Sequence, residues 1–348
     1  MGAARVNFSR LFVFLLVALS ILAAVSLPAQ DSVNQGSLSQ TQKEQEPLVR
    51  AQSNVVLVPV LVKDSHGKII YGLHAEDFIL TDDGAEQTLH LDEDAEEQPI
   101  SVIVAVQTGR RAEYELPRMA GLASMLDPIL SQPGSQAAVV TFDSGTTLAQ
   151  DFTGNSDKIE AILRQLQPGD NGAAILDTAH YCANLLGQQP ANRTRVLLLV
   201  SETRDHGSHY TSFEDLIREI GDSNIAVYAL AFSPSLSNIL DTGRGSNKEE
   251  MSPGPDLLAP LRMAVASMKK NVPRGIAEMT GGEYELFESR KKFETRVNDF
   301  DNHLHSRYLL SFQPKDPKTG LHEIHVRLRS GNATVLARSN YWANGSTQ

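Results

Sequence analysis

The sequence predicts an α/β protein with a central, mostly parallel, doubly wound sheet, flanked by a small β-sandwich-like unit built from N- and C-terminal segments. Three observations lead there. Apolar runs such as Ser101–Gln107, Arg195–Glu202 and Ile225–Phe232 are nearly continuous, as strands covered on both faces require. Stretches of helical length separate them, which is the rhythm of right-handed parallel crossovers. Before Pro99 and after His305 that rhythm gives way to short β segments, each too small to bury a core alone. The two ends are therefore expected to pair with each other.

Residues 1–29 read as an export signal, with Arg5 and Arg10, an apolar run from Leu11 to Val25, and small residues through Ala29. The run is short for a membrane span, so an uncleaved anchor is the one route by which the chain would meet a membrane. Residues 30–52 are rich in Gln, Ser and Asn and are expected to be a disordered linker. Residues 53–98 form an N-terminal β module. It contains a strand over Asn54–Asp64, a turn at Ser65–Lys68, a short Ile69–Tyr71 strand, and strands Glu76–Leu80 and Glu86–Leu91 around the turn Asp82-Asp83-Gly84.

The α/β domain is expected over 99–306. After strand Ser101–Gln107, a helix is predicted near Tyr114–Leu130, where Leu116, Met119, Ala123 and Leu126 fall at helical spacing. Strand Ala137–Phe142 turns at Asp143-Ser144-Gly145 into a partner over Thr146–Phe152. Helices Ser156–Leu166 and Ile175–Leu186, strand Arg195–Glu202, helix Ser212–Ile220 and strand Ile225–Phe232 follow. Ser233–Pro255 reads as a polar insertion. Helices Leu257–Lys270 and Pro273–Met279, strand Glu283–Phe287 and helix Lys291–His305 close the domain. Residues 307–343 return to β structure over Tyr308–Gln313, His322–Arg329 and Thr334–Tyr341.

Composition narrows the function. The 348 residues carry a formal charge of −11, which becomes −13 once Arg5 and Arg10 leave with the signal. Nucleic acid is excluded as a partner, because phosphate backbones select basic surfaces. Cys182 is the single cysteine, so neither an intrachain disulfide nor a cysteine zinc cage can form. No serine nucleophile elbow, phosphate-cradling glycine loop or dinucleotide fingerprint is present.

The ordered segments VIVAVQTG, AAVVTFDSGTTLAQDFT, GDNGAAILDTAHYCANLL, VLLLVSETRDHGS, NIAVYALAF and IAEMTGGEYELF resemble a von Willebrand factor type A domain. The flanks, with Gly72-Leu73, Glu76-Asp77-Phe78, Asp82-Asp83-Gly84, RYLLSFQP and SNYW, resemble a bacterial group of such proteins. The resemblance implies a divalent-cation site at the carboxyl end of the first strand, built from Asp-x-Ser-x-Ser, a later Thr and a later Asp. Mapped here, those positions are Val106, Thr108, Arg110, Ala173 and Glu202, so one hydroxyl and one carboxylate remain. Too few oxygens are left to replace the water of a hard cation, so no metal and no other cofactor is expected. Arg110 has two readings, one pairing its guanidinium with Glu202 and the other leaving it in solvent.

The same face carries the candidate binding residues Asp143, Ser144, Asp170, Asn171, Asp205, His206 and His209. Asp143-Ser144-Gly145 and Asp241-Thr242-Gly243 resemble aspartic-protease segments but read better as turns. His206 and His209 with Asp205 and Glu202 form either an accidental metal site or a solvated loop. The resulting expectation is a secreted or periplasmic, non-catalytic protein-interaction or adhesion module whose recognition is metal-independent. Its partner is expected to be a protein or an envelope polymer. The alternatives are a structural or assembly subunit of an envelope complex, and a hydrolase using Asp143, Asp205 and Glu202.

Overall fold

Strand β1 (Val56–Lys63) buries its alternate residues Val56, Val58, Val60 and Val62. The structure, a computed structural model, describes residues 55–92, 98–119, 121–232, 258–315 and 318–344. The expected signal, linker and polar insertion lie outside the described residues. Among the described residues no helix is long and apolar enough to cross a membrane.

The next strands are β2 (Phe78–Asp82), β3 (Ala85–Glu86) and β4 (His90–Asp92). The central domain contributes β5 (Ile100–Gln107), β6 (Gln136–Phe142), β7 (Thr146–Thr153), β8 (Thr194–Ser201), β9 (Ile225–Phe232) and β10 (Tyr284–Phe287). Its helices are α1 (Asp127–Ser131), α2 (Ser156–Arg164), α3 (Ile175–Gly187), α4 (Phe213–Asp222), α5 (Ala259–Lys270), α6 (Val272–Thr280) and α7 (Arg290–His305). The last strands are β11 (Tyr308–Phe312), β12 (Gly320–Leu328), β13 (Thr334–Ala337) and β14 (Asn340–Ala343).

The central sheet runs β10-β9-β8-β5-β6-β7, parallel except for the antiparallel edge pair β6–β7. Every residue of β5 and of β9 is buried, which explains their nearly continuous apolar sequence. Alternate side chains go to opposite layers. Ile103 and Ala105 pack with α3, α4, α5 and α6, whereas Val102, Val104 and Val106 pack with α1, α2 and α7. Cys182 lies in the first layer, where burial pushes its thiol pKa well up and leaves it an inert apolar filler.

Two four-stranded sheets flank this domain, β13-β1-β11-β4 and β14-β12-β2-β3, and each contains strands from both ends of the chain. β1 is the hinge of that arrangement: its first half pairs β11 and its second half pairs β13. Val58, Val60, Phe78, Leu80, Leu310, Phe312, Ile324 and Tyr341 make the shared core. Trp342 leaves this core to pack on the α3–α4 layer beneath the Arg218 guanidinium, 5.0 Å from the ring centre. At another contact, Glu283 receives Lys63 Nζ at 3.0 Å, with Arg307 Nη2 at 3.3 Å from its other oxygen.

Four sequence expectations are corrected. The long helix over Tyr114–Leu130 is instead three short 3-10 turns, Arg110–Tyr114, Leu116–Met119 and Ser124–Leu126, followed by α1. Pro117 denies that segment a backbone donor and Gly121 sits at φ +95°, so the apolar spacing is met without a continuous helix. Thr334–Tyr341 divides into β13 and β14, which join different sheets, because Arg338 turns inward between them. Glu86–Leu91 likewise divides into β3 and β4. Ile69–Tyr71 forms one bridge, Ile69 with Lys63, rather than a strand.

Candidate functional site

β5 leads onward to β6 on one side, whereas its other neighbour β8 leads onward to β9, so the connections from these two adjacent strands leave in opposite directions and open a crevice at their carboxyl ends. The loops that surround this crevice are 108–114, 143–145, 165–174 and 202–212. The side chain that closes strand β5 is Gln107, fully buried and in the same series as Ile103 and Ala105. Gln107 Nε2 donates to Glu202 Oε1 at 3.1 Å and to Gly109 O at 3.1 Å, while its Oε1 accepts the Glu202 N–H at 2.8 Å. Val106 is corrected here: it faces the opposite layer, packed with Val104 and Ala112, and offers nothing to the crevice. A shift of one residue along a strand changes the face.

Arg110 enters the crevice from the loop after β5. Its Nε lies 2.8 Å from Glu202 Oε1, and Glu202 is 6% exposed. The Nε–H does not align on that oxygen, so this is a contact of opposite charges and not a directed hydrogen bond. Arg110 has φ +54°, a left-handed conformation that costs an arginine about 1–2 kcal/mol. Its N–H donates to Asp170 O at 2.8 Å, which holds the residue in that conformation. Thr108 is buried and donates its hydroxyl to Phe142 O at 3.2 Å. Ala173 is buried and joins His206 through two backbone hydrogen bonds, of 2.6 and 2.8 Å.

The acidic residues of this face are engaged in shaping its loops. Asp143 accepts the N–H groups of Gly145 at 3.0 Å and Asp170 at 3.1 Å. Asp170 accepts the N–H groups of Ser144 at 2.9 Å and Gly172 at 2.8 Å, and the Ser144 hydroxyl as well. The Ser144 hydroxyl, then the Gly172 N–H, draw its carboxyl below the usual range. Asp205 accepts Leu176 N–H at 3.0 Å in the first turn of α3, together with the Ser208 hydroxyl at 2.6 Å. Asp177, which sequence reading passed over, accepts the N–H groups of His209 at 2.8 Å and Thr211 at 2.7 Å. Its only sequence signal is its place at the start of a helix.

Asn171, His206 and His209 are exposed on this rim. The 202–212 loop presents Tyr210 at 93% exposure, and the loop after β5 presents Tyr114 at 71%. Among the described residues the group of three carboxylate or imidazole ligand atoms drawn within 4.8 Å is Asp82, Asp83 and His322, in the flanking unit. Asp143, Asp205, Glu202, His206 and His209 are not gathered in this way. At the crevice a guanidinium and an amide donor already meet the Glu202 carboxylate.

Residues 109–204 match the family model of the von Willebrand factor type A domain. No curated protein matches the chain. Among solved structures it is similar to von Willebrand factor type A from Catenulispora acidiphila, at 9% identity and TM-score 0.42, over 84% of this chain and 75% of that one. It is similar to the conserved hypothetical protein BatB from Bacteroides thetaiotaomicron, at 13% identity and TM-score 0.38, over 58% of this chain and 99% of the other. A further likeness is to the pilus adhesin SpaC from Lactobacillus rhamnosus GG in its open conformation, at 12% identity and TM-score 0.40, over 71% and 33% of the two chains. The family match starts in the turn after β5 and stops just past Glu202, so it takes in three of the four rim loops nearly whole and the start of the fourth, and over these residues the chain matches a von Willebrand factor type A domain.

Proposed function

We propose that the protein is an exported, non-catalytic interaction module that recognises a protein or envelope-polymer partner through the loops around the β5 crevice, without a metal ion. The observation that carries this reading is the Arg110 guanidinium 2.8 Å from Glu202, where it supplies a fixed positive charge to the crevice. Guanidinium is always charged, so the pair needs no ion to neutralise the carboxylate. Asp143 and Asp205 each accept backbone N–H groups, which supports a loop-shaping role for them over the hydrolase reading. Loops held this way are preorganised, which lowers the entropy cost of binding.

The first test is thermal unfolding of the mature chain in chelator and then in millimolar magnesium, calcium or manganese. The midpoint is expected to stay put with each ion. A ligand at a hundredfold excess over its Kd stabilises the folded state by about 2.7 kcal/mol. A shift of that size would sink the metal-free reading.

The second test concerns the rim. Tyr210 and Tyr114 stand out from loops whose backbones are pinned, and exposed aromatics of this kind are common anchors of interfaces. Tyr210→Ala and Tyr114→Ala are expected to leave the melting midpoint within about 0.5 kcal/mol of wild type. They should reduce capture of envelope proteins or polymer on the immobilised chain at least tenfold. Equal capture by wild type and the double variant would place recognition elsewhere, on the flanking unit that an assembly subunit would use.

A further inference from the structure

At the opposite end of the parallel strands from the crevice, a cavity of about 130 Å³ lies between the α/β domain and the flanking unit. Arg193, Arg195, Arg307 and Arg338 line it, and among the described residues no aspartate or glutamate does. In a chain of net charge −11 that is an uneven distribution. Arg307 and Arg338 are at least nine-tenths buried.

The acceptors these arginines already have are mostly uncharged. Arg193 donates to the Ser101 hydroxyl at 2.7 Å and to Gly134 O, and Arg195 to Gln189 O. Arg338 donates to Asn340 O at 2.7 Å, Asn224 Oδ1 at 3.2 Å, Ile220 O at 3.4 Å and Gly221 O. Arg307 alone meets a carboxylate, Glu283 at 3.3 Å, and it also donates to Gly281 O. Asp222 acts on Arg338 only through its field. Among the described residues the buried Nε atoms of Arg195 and Arg307 have no acceptor. Burial lowers the pKa of both Arg195 and Arg338, the latter to about 10, as expected where buried cations lack full compensation.

We propose that this cavity is a binding site for a small tetrahedral oxyanion, either free phosphate or the phosphate of a small monoester. Guanidinium forks match phosphate oxygens bidentately, and buried N–H donors without acceptors are worth most when an anion supplies them. The volume is several times what one water needs. Leu57, Pro59 and Leu309, from β1 and β11, form an apolar wall that can take the carbon end of a short ester. An anion seated there touches both the α/β domain and the flanking unit, so its binding would tighten their junction.

The test is isothermal titration calorimetry of the mature protein with inorganic phosphate and, separately, glycerol phosphate, with chloride holding the ionic strength constant. A saturable heat with one-to-one stoichiometry is expected for at least one of them, and the tighter of the two names the source. Arg195→Met loses a single carbonyl contact, to Gln189, and should weaken that binding at least tenfold. Absence of saturable heat up to tens of millimolar in the wild-type protein overturns the proposal. So does binding of equal strength in Arg195→Met, which would mean a surface ion or a general salt effect.

Discussion

Gly109→Ala is expected to destabilise the protein by about 3 kcal/mol and to abolish recognition by the crevice loops. A methyl group at this position would lie 2.2 Å from Gly172 O, 2.7 Å from Asp143 Cβ and 2.9 Å from Asp170 O. Alanine tolerates the backbone here, with φ −81° and ψ 169°, so the cost is one of space alone. Two of the three obstacles are carbonyl oxygens of a different loop. That loop is fixed to its neighbour by Arg110 N–H on Asp170 O at 2.8 Å and Gly169 N–H on Thr108 O at 2.9 Å. Relief requires the 165–174 loop to move away, which strains both hydrogen bonds and the Arg110 conformation that depends on one of them. Gly145→Ala is the control. It lies on the same face, its added methyl meets nothing within 4 Å, and its effect should stay within about 0.5 kcal/mol. Urea unfolding of the two variants reads the difference directly, and equal midpoints would show that the loops are not closely packed.

That close packing was not legible in the sequence, and the reason is physical. Ile225–Phe232 could be read residue by residue, because burial on both faces leaves no room for polar side chains and the pattern is local. The paired ends could be inferred from the insufficiency of each alone. The 114–130 segment misled because apolar spacing states which side chains turn inward, and three 3-10 turns interrupted by Gly121 can meet that demand as well as a helix. At the crevice, the residue types at Thr108, Arg110 and Glu202 were readable. The facing of Gln107 in place of Val106 was not, since it turns on a one-residue register. The duties of Asp143, Asp170, Asp177 and Asp205 were also hidden. Each binds backbone N–H groups, most of them on another loop, and a backbone donor carries no residue signature.

The second large effect is expected where the flanking unit meets the α/β domain, at Glu283. Burial alone would raise the pKa of this carboxyl. The His303 hydrogen bond at 2.9 Å, Arg307 and Lys63 outweigh it and hold the pKa at about 2, against an ordinary 4.5. A carboxyl depressed on folding contributes stability that is fully present above its unfolded pKa and is lost as pH falls through the folded value. The contribution is therefore intact above pH 4.5 and disappears towards pH 2. The shift corresponds to about 3 kcal/mol, with the side chain 12% exposed. Glu283→Gln keeps the shape and removes the charge, so at neutral pH it should be about 3 kcal/mol less stable than wild type. Below pH 4.5 the gap should narrow, because wild type loses what the variant never had, while the other carboxylates titrate alike in both. Parallel stability curves from pH 7 to pH 2 would mean that charge at Glu283 contributes nothing to the junction. A gap that closes would instead identify the ion cluster as a link between Lys63 of β1 and the α/β domain, since glutamine can still bond to neutral groups but cannot balance Lys63 and Arg307.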